Sequence, residues 1–310
     1  MQPRSMVFIG SKELGYQILT ATLEAFPGKI TAVVTLDDRQ DQRSCYDLLV
    51  ELGQRHQLPV YTLDKPSQLA AVLTRESPDL CLVVGWYWLI PEALLNAVPA
   101  GFVAIHNSLL PRYRGGSPLV WAFLQGETEV GFSVFRLQPG LDDGPLWAQH
   151  RVPVHPDDYI GDLLARVNGA VVAAWPSVLS TIVDGQEPSP QRDHGVTFCG
   201  LRAPWMGQID WSLPADDLER FVRAQSRPYP GAFSFYQGRK AIVWRARRFE
   251  HPYLGVPGQV LTLKPQLLVA CGDHRALVLE EMEFEDGADP IQSLAIPLGS
   301  SPQTPTATTR

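Results

Sequence analysis

Cysteine is scarce in this 310-residue chain: Cys45, Cys81, Cys199 and Cys271 lie far apart, and no C-x-x-C pair occurs. That spacing excludes a zinc knuckle and a disulfide framework, and it predicts four free thiols and no bound metal. Basic charge is also short. Lys and Arg number 26 against 33 Asp and Glu, a net charge of −7, which is the wrong sign for general polyanion binding. Long apolar runs are missing as well. The run after Met1–Met6 is too brief for a signal-peptide core, and no stretch approaches the ~20 apolar residues of a membrane helix. A cytoplasmic location and no membrane partner are expected. No internal repeat is visible. The segment Gly10-Ser-Lys-Glu-Leu-Gly15 has two glycines and no Gly-Lys-Ser/Thr ending, so it fails both the dinucleotide and the phosphate-loop patterns.

What the chain has is 27 prolines, 25 glycines and an apolar fraction of 45%, enough for a sizeable core. At roughly 100–200 residues per domain, two domains are expected. Short apolar runs at Met6–Ile9, Ile30–Leu36, Val60–Tyr61, Leu80–Val84 and Phe102–Ile105 alternate with helical patterns at Glu13–Phe26, Cys45–Arg55, Ser67–Arg75 and Pro91–Asn96. This predicts an α/β, doubly wound, mostly parallel sheet. Gly131–Leu137 alternates like a further strand, and Tyr159–Val183 reads as a long amphipathic helix. The expected division is a first domain at 1–185, a proline-bearing linker at 186–206, a second domain at 207–289 and a disordered tail at 290–310. In the second domain, a helix at Asp216–Gln225 precedes five short strands, Ala232–Tyr236, Lys240–Arg248, Gly258–Leu263, Gln266–Ala270 and Ala276–Glu283, the spacing of a small open β-barrel.

The segment with most chemistry is Gly101-Phe-Val-Ala-Ile-His-Asn-Ser-Leu-Leu-Pro-Arg-Tyr-Arg-Gly-Gly-Ser-Pro118, followed by Gly140-Leu-Asp-Asp-Gly144. A histidine ends a buried strand, a Pro-Arg-Gly loop follows, and two aspartates sit in a glycine-bracketed turn. A histidine and a carboxylate from separate loops can form an acid/base pair at the mouth of a sheet. Ser11 and Lys12, leaving the first strand, are candidate substrate contacts on the same topological ground; an ordinary strand-to-helix turn is the alternative.

His106, Ser108-Leu-Leu-Pro111, Arg114-Gly115 and Gly140-Leu-Asp142-Asp-Gly144 resemble the motifs of the formyltransferases that use 10-formyltetrahydrofolate. Ile209-Asp-Trp211, Arg223-Ala224 and Pro228-Tyr-Pro-Gly-Ala-Phe233 extend the resemblance to longer members, so that it spans roughly residues 6–285. It implies a Rossmann-like catalytic domain with an OB-like barrel behind it. Within the family the chain most resembles the branch acting on UDP-4-amino-4-deoxy-L-arabinose. Initiator methionyl-tRNA formyltransferases and the formyl-folate hydrolase domain of 10-formyltetrahydrofolate dehydrogenase share that architecture. The implied reaction is attack of a substrate amine on the formyl carbon, with His106 donating to the developing oxyanion. Asp142 would pair with the imidazolium and orient it, or help remove the amine proton. Asp143 occupies the variable position of the motif. The donor, 10-formyltetrahydrofolate, is expected between the loop carrying Trp86, Tyr87, Trp88, Leu89 and Ile90 and the segment carrying Leu137, Gly140, Leu141 and Asp142.

Ala104 departs from the pattern. It stands two residues before His106, where the family carries asparagine, and residues two apart on a strand share a face. The missing carboxamide should donate to the formyl oxygen. Three explanations stand: an introduced Asn-to-Ala change, drift to a slow or inactive folate-binding protein, or altered chemistry such as formyl-folate hydrolysis. The resemblance also bears on the acceptor. Where initiator-tRNA enzymes carry a basic loop, Asp37-Asp-Arg-Gln-Asp-Gln-Arg43 has three acids against two arginines, which disfavours a tRNA substrate. Arg239, Lys240, Arg245, Arg247 and Arg248 form either a nucleic-acid face or a solvated strand face. Arg112 and Arg114, with Ser108, are placed to hold a compact anion such as a diphosphate. That suits a nucleotide-linked amino sugar, and equally the carboxylate of an amino-acid or siderophore amine. A homodimer is left open.

Overall fold

Strands that are apolar at every position, rather than at every second one, are those buried on both faces of a parallel sheet. In the computed structural model, which describes residues 3–263 and 266–287, these runs become the centre of the first sheet. The chain runs β1 (Met6–Gly10), α1 (Lys12–Ala25), β2 (Ile30–Leu36), α2 (Tyr46–Arg55), β3 (Val60–Leu63), α3 (Gln68–Glu76), β4 (Leu80–Val84), α4 (Glu92–Leu95) and β5 (Phe102–His106). Next come β6 (Arg114–Gly115), α5 (Pro118–Leu124), β7 (Glu129–Arg136), β8 (Leu146–Pro153), α6 (Ile160–Val183) and β9 (Phe198–Cys199). After a 3-10 turn at Pro204–Gly207 follow α7 (Ala215–Gln225), β10 (Ala232–Tyr236), β11 (Arg239–Arg248), β12 (Val260–Leu263), β13 (Gln266–Ala270) and β14 (Ala276–Phe284).

Two compact units result. Of the described residues, the first comprises 3–119, Thr128–Val154 and Leu164–Gly200, the second Val120–Glu127, His155–Leu163, 201–263 and 266–287. The first holds a seven-stranded sheet in the order β3-β2-β1-β4-β5-β7-β8. β1 to β5 are parallel, while β7 and β8 add antiparallel at one end. Every residue of β1 and β4 is buried. Strand order reverses between β1 and β4, where Gly10 pairs with Val84, so the loops after these strands leave the sheet side by side. β5 lies next to them and delivers His106 to the same end, the edge at which open α/β sheets receive ligands.

Three elements differ from expectation. β8 and α5 carry too little periodic signal to be read locally; in β8, Gln149, His150 and Arg151 break the apolar pattern because the strand is a sheet edge. α6 requires a correction. By length and composition alone it is a helix apolar enough to cross a bilayer, although the sequence reading found no such stretch. Ile160, Leu163, Val167, Val171, Trp175 and Leu179, three or four residues apart, are buried at 0–1% exposure, which is the stripe of a core helix. Inside the first unit Trp175 Nε1 donates to Thr22 Oγ1 at 2.8 Å.

The second unit is a five-stranded antiparallel sheet in the order β10-β11-β14-β13-β12, consistent with a small barrel. α7 contributes Leu218 and Val222, four apart, to a core with Ile209, Val243 and Leu277. The basic residues of β11 are paired: Arg239 with Asp286 at 2.7 Å, Lys240 with Glu285 at 3.0 Å, Arg247 with Glu280 at 3.0 Å and Arg248 with Asp216 at 3.0 Å. Arg245 lies over the Tyr159 ring at 4.5 Å. Phosphate contact draws on uncompensated positive charge, and here carboxylates offset it. The tail expected at 290–310 lies outside the described residues.

Candidate active site

Side chains alternate along β5, so Phe102 and Ala104 share the face on which His106 emerges. Ala104 is only 5% exposed and belongs to an apolar cluster with Val83, Leu110 and Phe135; half-buried Trp86, Trp88, Ile90 and Leu137 pack against the same cluster. Trp86 and Trp88 meet edge to face at 5.3 Å. His106 Nε2 lies 2.8 Å from the carbonyl oxygen of Tyr113. A carbonyl can only accept, so Nε2 carries the hydrogen and Nδ1 is the face left for chemistry. Nδ1 looks at Asp142 Oδ2 across 3.7 Å, an ion-pair distance rather than a hydrogen bond.

Asp142 is held from the other side by the Gly115 amide, which donates to Oδ2 at 2.7 Å. Gly115 has no substitute: its φ is +104°, and a Cβ would sit 2.3 Å from the Cys199 carbonyl oxygen. The Asp143 carboxylate turns away and folds against Gly140, where a Cβ would meet Oδ2 at 1.9 Å. Lys12, Tyr113, Ser117 and Asp142 are non-glycine residues with positive φ, of 63°, 58°, 54° and 48°, in the loops around this end of the sheet. Each costs on the order of 1–2 kcal/mol, and the surroundings must impose them.

Those surroundings come from segments the sequence did not single out. β9 pairs in parallel with β6, and Thr197 Oγ1 accepts from the Tyr113 amide at 2.8 Å. Gln191 donates to the carbonyls of Asp142 and Gly144 at 2.7 and 2.8 Å and accepts from Arg114 Nη2 at 2.7 Å. Under the Ser108–Arg112 loop, fully buried Ser133 donates to the Ser108 carbonyl at 2.8 Å. Gln149 donates to the Leu110 carbonyl, also at 2.8 Å. Ser133 had one legible sign, a hydroxyl in an otherwise apolar strand. Gln191, Thr197 and Gln149 had none. The half-buried Cys199 thiol is pushed up to about 11 by burial and by Asp142.

The candidate substrate contacts separate. Ser11 and Ser108 are buried and donate to the Gly85 and Arg112 carbonyls at 2.6 and 2.7 Å, which ties loops together. Arg114 is engaged by Gln191, and Arg112 is largely exposed with its guanidinium 5.3 Å from the Tyr113 ring. Lys12 Nζ lies 2.8 Å from both Asp38 and Asp41, and 5.2 Å from the Tyr87 ring. Tyr87 also donates to Asp38 at 3.3 Å. Leu89 and Leu141 present apolar surface to solvent, at 84% and 46% exposure. Among the described residues no cluster of three or more His, Cys, Asp or Glu could hold a metal ion.

Burial pushes the Asp41 carboxyl up, but its bonds to Arg43 and Lys12 outweigh this and hold it well below its ordinary value of 3.8. A depressed folded pKa stabilises fully above the ordinary value, and the stabilisation disappears as pH falls through the depressed range. Asp41→Asn is therefore expected to lower the melting temperature at neutral pH, with the gap to the parent closing below about pH 4. An equal gap near pH 7 and about pH 3 would exclude the ion cluster as its cause.

The formyl transferase family profile matches residues 6–179, more than half of the chain, and the formyl transferase C-terminal domain profile matches residues 203–291. The chain belongs to the formyl transferase family. Solved structures share its Rossmann-like sheet followed by a C-terminal antiparallel domain, at identities that speak for fold alone. An N-formyltransferase from Helicobacter canadensis, in complex with folinic acid and dTDP-3-aminofucose, has a TM-score of 0.66 at 13% identity, over 89% of this chain and 98% of that one. Methionyl-tRNA formyltransferase from Clostridium thermocellum has a TM-score of 0.57 at 15% identity, over 90% and 98%. HypX from Aquifex aeolicus in complex with tetrahydrofolic acid has a TM-score of 0.62 at 20% identity, over 92% of this chain. The chain spans only 45% of the HypX chain. In this family member, β5 and the loop 140–144 bring the motif histidine and aspartate together.

Proposed function

We propose that this formyl transferase moves a formyl group from 10-formyltetrahydrofolate to the amine of a small molecule, with His106 and Asp142 as the reacting pair. The observation carrying this reading is the His106 geometry: Nε2 is committed to Tyr113 and Nδ1 faces Asp142 at 3.7 Å. The donor supplies an electrophilic formyl carbon and, at N10, the leaving nitrogen. Trp86, Trp88, Ile90 and Leu137, which pack against the cluster holding Ala104, are assigned as the apolar wall for its flat ring. Trp86 Nε1, buried with no hydrogen-bond partner among the described residues, adds a donor on that wall. His106 donates from Nδ1 to the oxygen that becomes negative as the amine attacks, and Asp142 stabilises the imidazolium. With Oδ2 held by Gly115, the other carboxylate oxygen takes the amine proton. Asp142 then gives that proton up to the leaving N10 as the bond between N10 and the formyl carbon breaks, which restores the carboxylate.

For the acceptor, a nucleotide-linked amino sugar is favoured by the motif resemblance and by the fold shared with the dTDP-3-aminofucose complex. Arg112, beside the motif loop, is assigned as a contact for its diphosphate. A second reading rests on Ala104: without the donor at this position, water could replace the amine and release formate. The test supplies 10-formyltetrahydrofolate with dTDP-3-aminofucose or UDP-4-amino-4-deoxy-L-arabinose and follows tetrahydrofolate, formate and formylated sugar. Formylated sugar in step with tetrahydrofolate is expected. Formate at the same rate without any amine would replace transfer by hydrolysis, and no product even from Ala104→Asn would leave donor binding alone.

A further inference from the structure

We infer that Gln191 is a positioning residue for this reaction, an assignment that rests on the His106–Asp142 reading. Its carboxamide uses both N–H groups on one loop and its oxygen on another. Nε2 donates to the carbonyls of Asp142 and Gly144, at 2.7 and 2.8 Å, while Oε1 accepts from Arg114 Nη2 at 2.7 Å. A single half-buried side chain thus bridges the turn that carries the candidate carboxylate and the loop whose Gly115 amide holds that carboxylate.

The bridge matters because the Asp142 backbone sits in a minority conformation: its φ of 48° is left-handed, a region aspartate enters more readily than most residues but at a cost that surrounding bonds must offset. Six and eight residues further along the same segment, bonds beside the β6–β9 ladder fix the other loop: the Arg114 amide donates to the Thr197 carbonyl at 2.9 Å, and Gly116 to that of Cys199 at 3.0 Å. Segment 191–199 therefore anchors both loops, with Gln191 as its contact to the Asp142 turn. The distance from Asp142 to His106 is a consequence of where this segment lies. Gln191 acts through Asp142 and needs no contact with substrate.

The test compares Gln191→Leu and Gln191→Glu with the parent and with His106→Gln. Leucine removes all three bonds. Glutamate keeps the Arg114 contact but has no N–H for the two carbonyls. Turnover of 10-formyltetrahydrofolate to tetrahydrofolate is followed with the sugar amine or water as acceptor. In parallel, amide exchange at Gly115 is read by NMR, which does not depend on activity. Both variants are expected to lower kcat by about 10–100-fold with KM for the folate changed less than about threefold, and to speed Gly115 exchange about tenfold or more. Unchanged Gly115 exchange in both folded variants overturns the inference whatever the activity. Faster exchange with unchanged kcat, while His106→Gln is inactive, also overturns it and leaves the His106–Asp142 reading intact. If His106→Gln is as active as the parent, that reading fails and the catalytic role of Gln191 fails with it.

Discussion

His106→Gln is expected to lower formyl transfer by about 10²–10⁴-fold, the usual contribution of a positioned proton-transfer group. Glutamine can still donate an amide hydrogen to the Tyr113 carbonyl, so the loop that His106 meets at 2.8 Å keeps its contact. What is lost is a ring nitrogen that can gain and release a proton opposite Asp142. Folate affinity is expected to change little, because the apolar wall of Trp86, Trp88, Ile90 and Leu137 lies on other elements. The check is single-turnover formation of tetrahydrofolate beside equilibrium binding of the folate. A loss of binding equal to the loss of rate would make His106 a binding group and would remove it from the chemistry.

Ala104→Asn is expected to change the rate in the opposite direction. One hydrogen-bond donor aimed at a developing oxyanion typically contributes about 10²–10³-fold, and the side chain at 104 shares a face with His106. Its surroundings work against the substitution. Ala104 is buried among Val83, Leu110 and Phe135, and a polar group without a partner there costs about 1–3 kcal/mol. The variant should therefore turn over faster yet melt lower than the parent, since the carboxamide is satisfied only when the formyl oxygen arrives. Rate constants at saturating donor, measured beside thermal melting, decide the matter. An unchanged rate would mean that this chain draws its oxyanion stabilisation from groups other than a carboxamide at 104.

How much of this was legible locally differs by element. β2 and β4 run over the very residues their apolar runs marked, because nearly continuous burial leaves a nearly continuous apolar pattern, and β10 keeps its expected bounds although Phe235 is exposed. β8 left none, since an edge strand exposes Gln149, His150 and Arg151. Within the site, His106 and Asp142 were legible through motif residues 36 positions apart. Gln191 and Thr197 were not: they lie in a proline-bearing stretch without period, and their partners Arg114 and Tyr113 are 77 and 84 residues away.

By itself the sequence determined the βα alternation and, through its resemblance to the formyltransferase motifs, pointed to His106, Asp142 and the alanine at 104. The alternation follows from periodicity and residue type, which are local properties, and the site residues from short motifs that are legible without their partners. Only the tertiary structure decided what each polar side chain is committed to. Ser11 and Ser108 are spent on backbone carbonyls, Lys12 on two aspartates and Arg114 on Gln191. Buried hydrogen-bonding groups take whatever partner folding brings within about 3 Å, and that partner is set by packing between segments far apart in the chain.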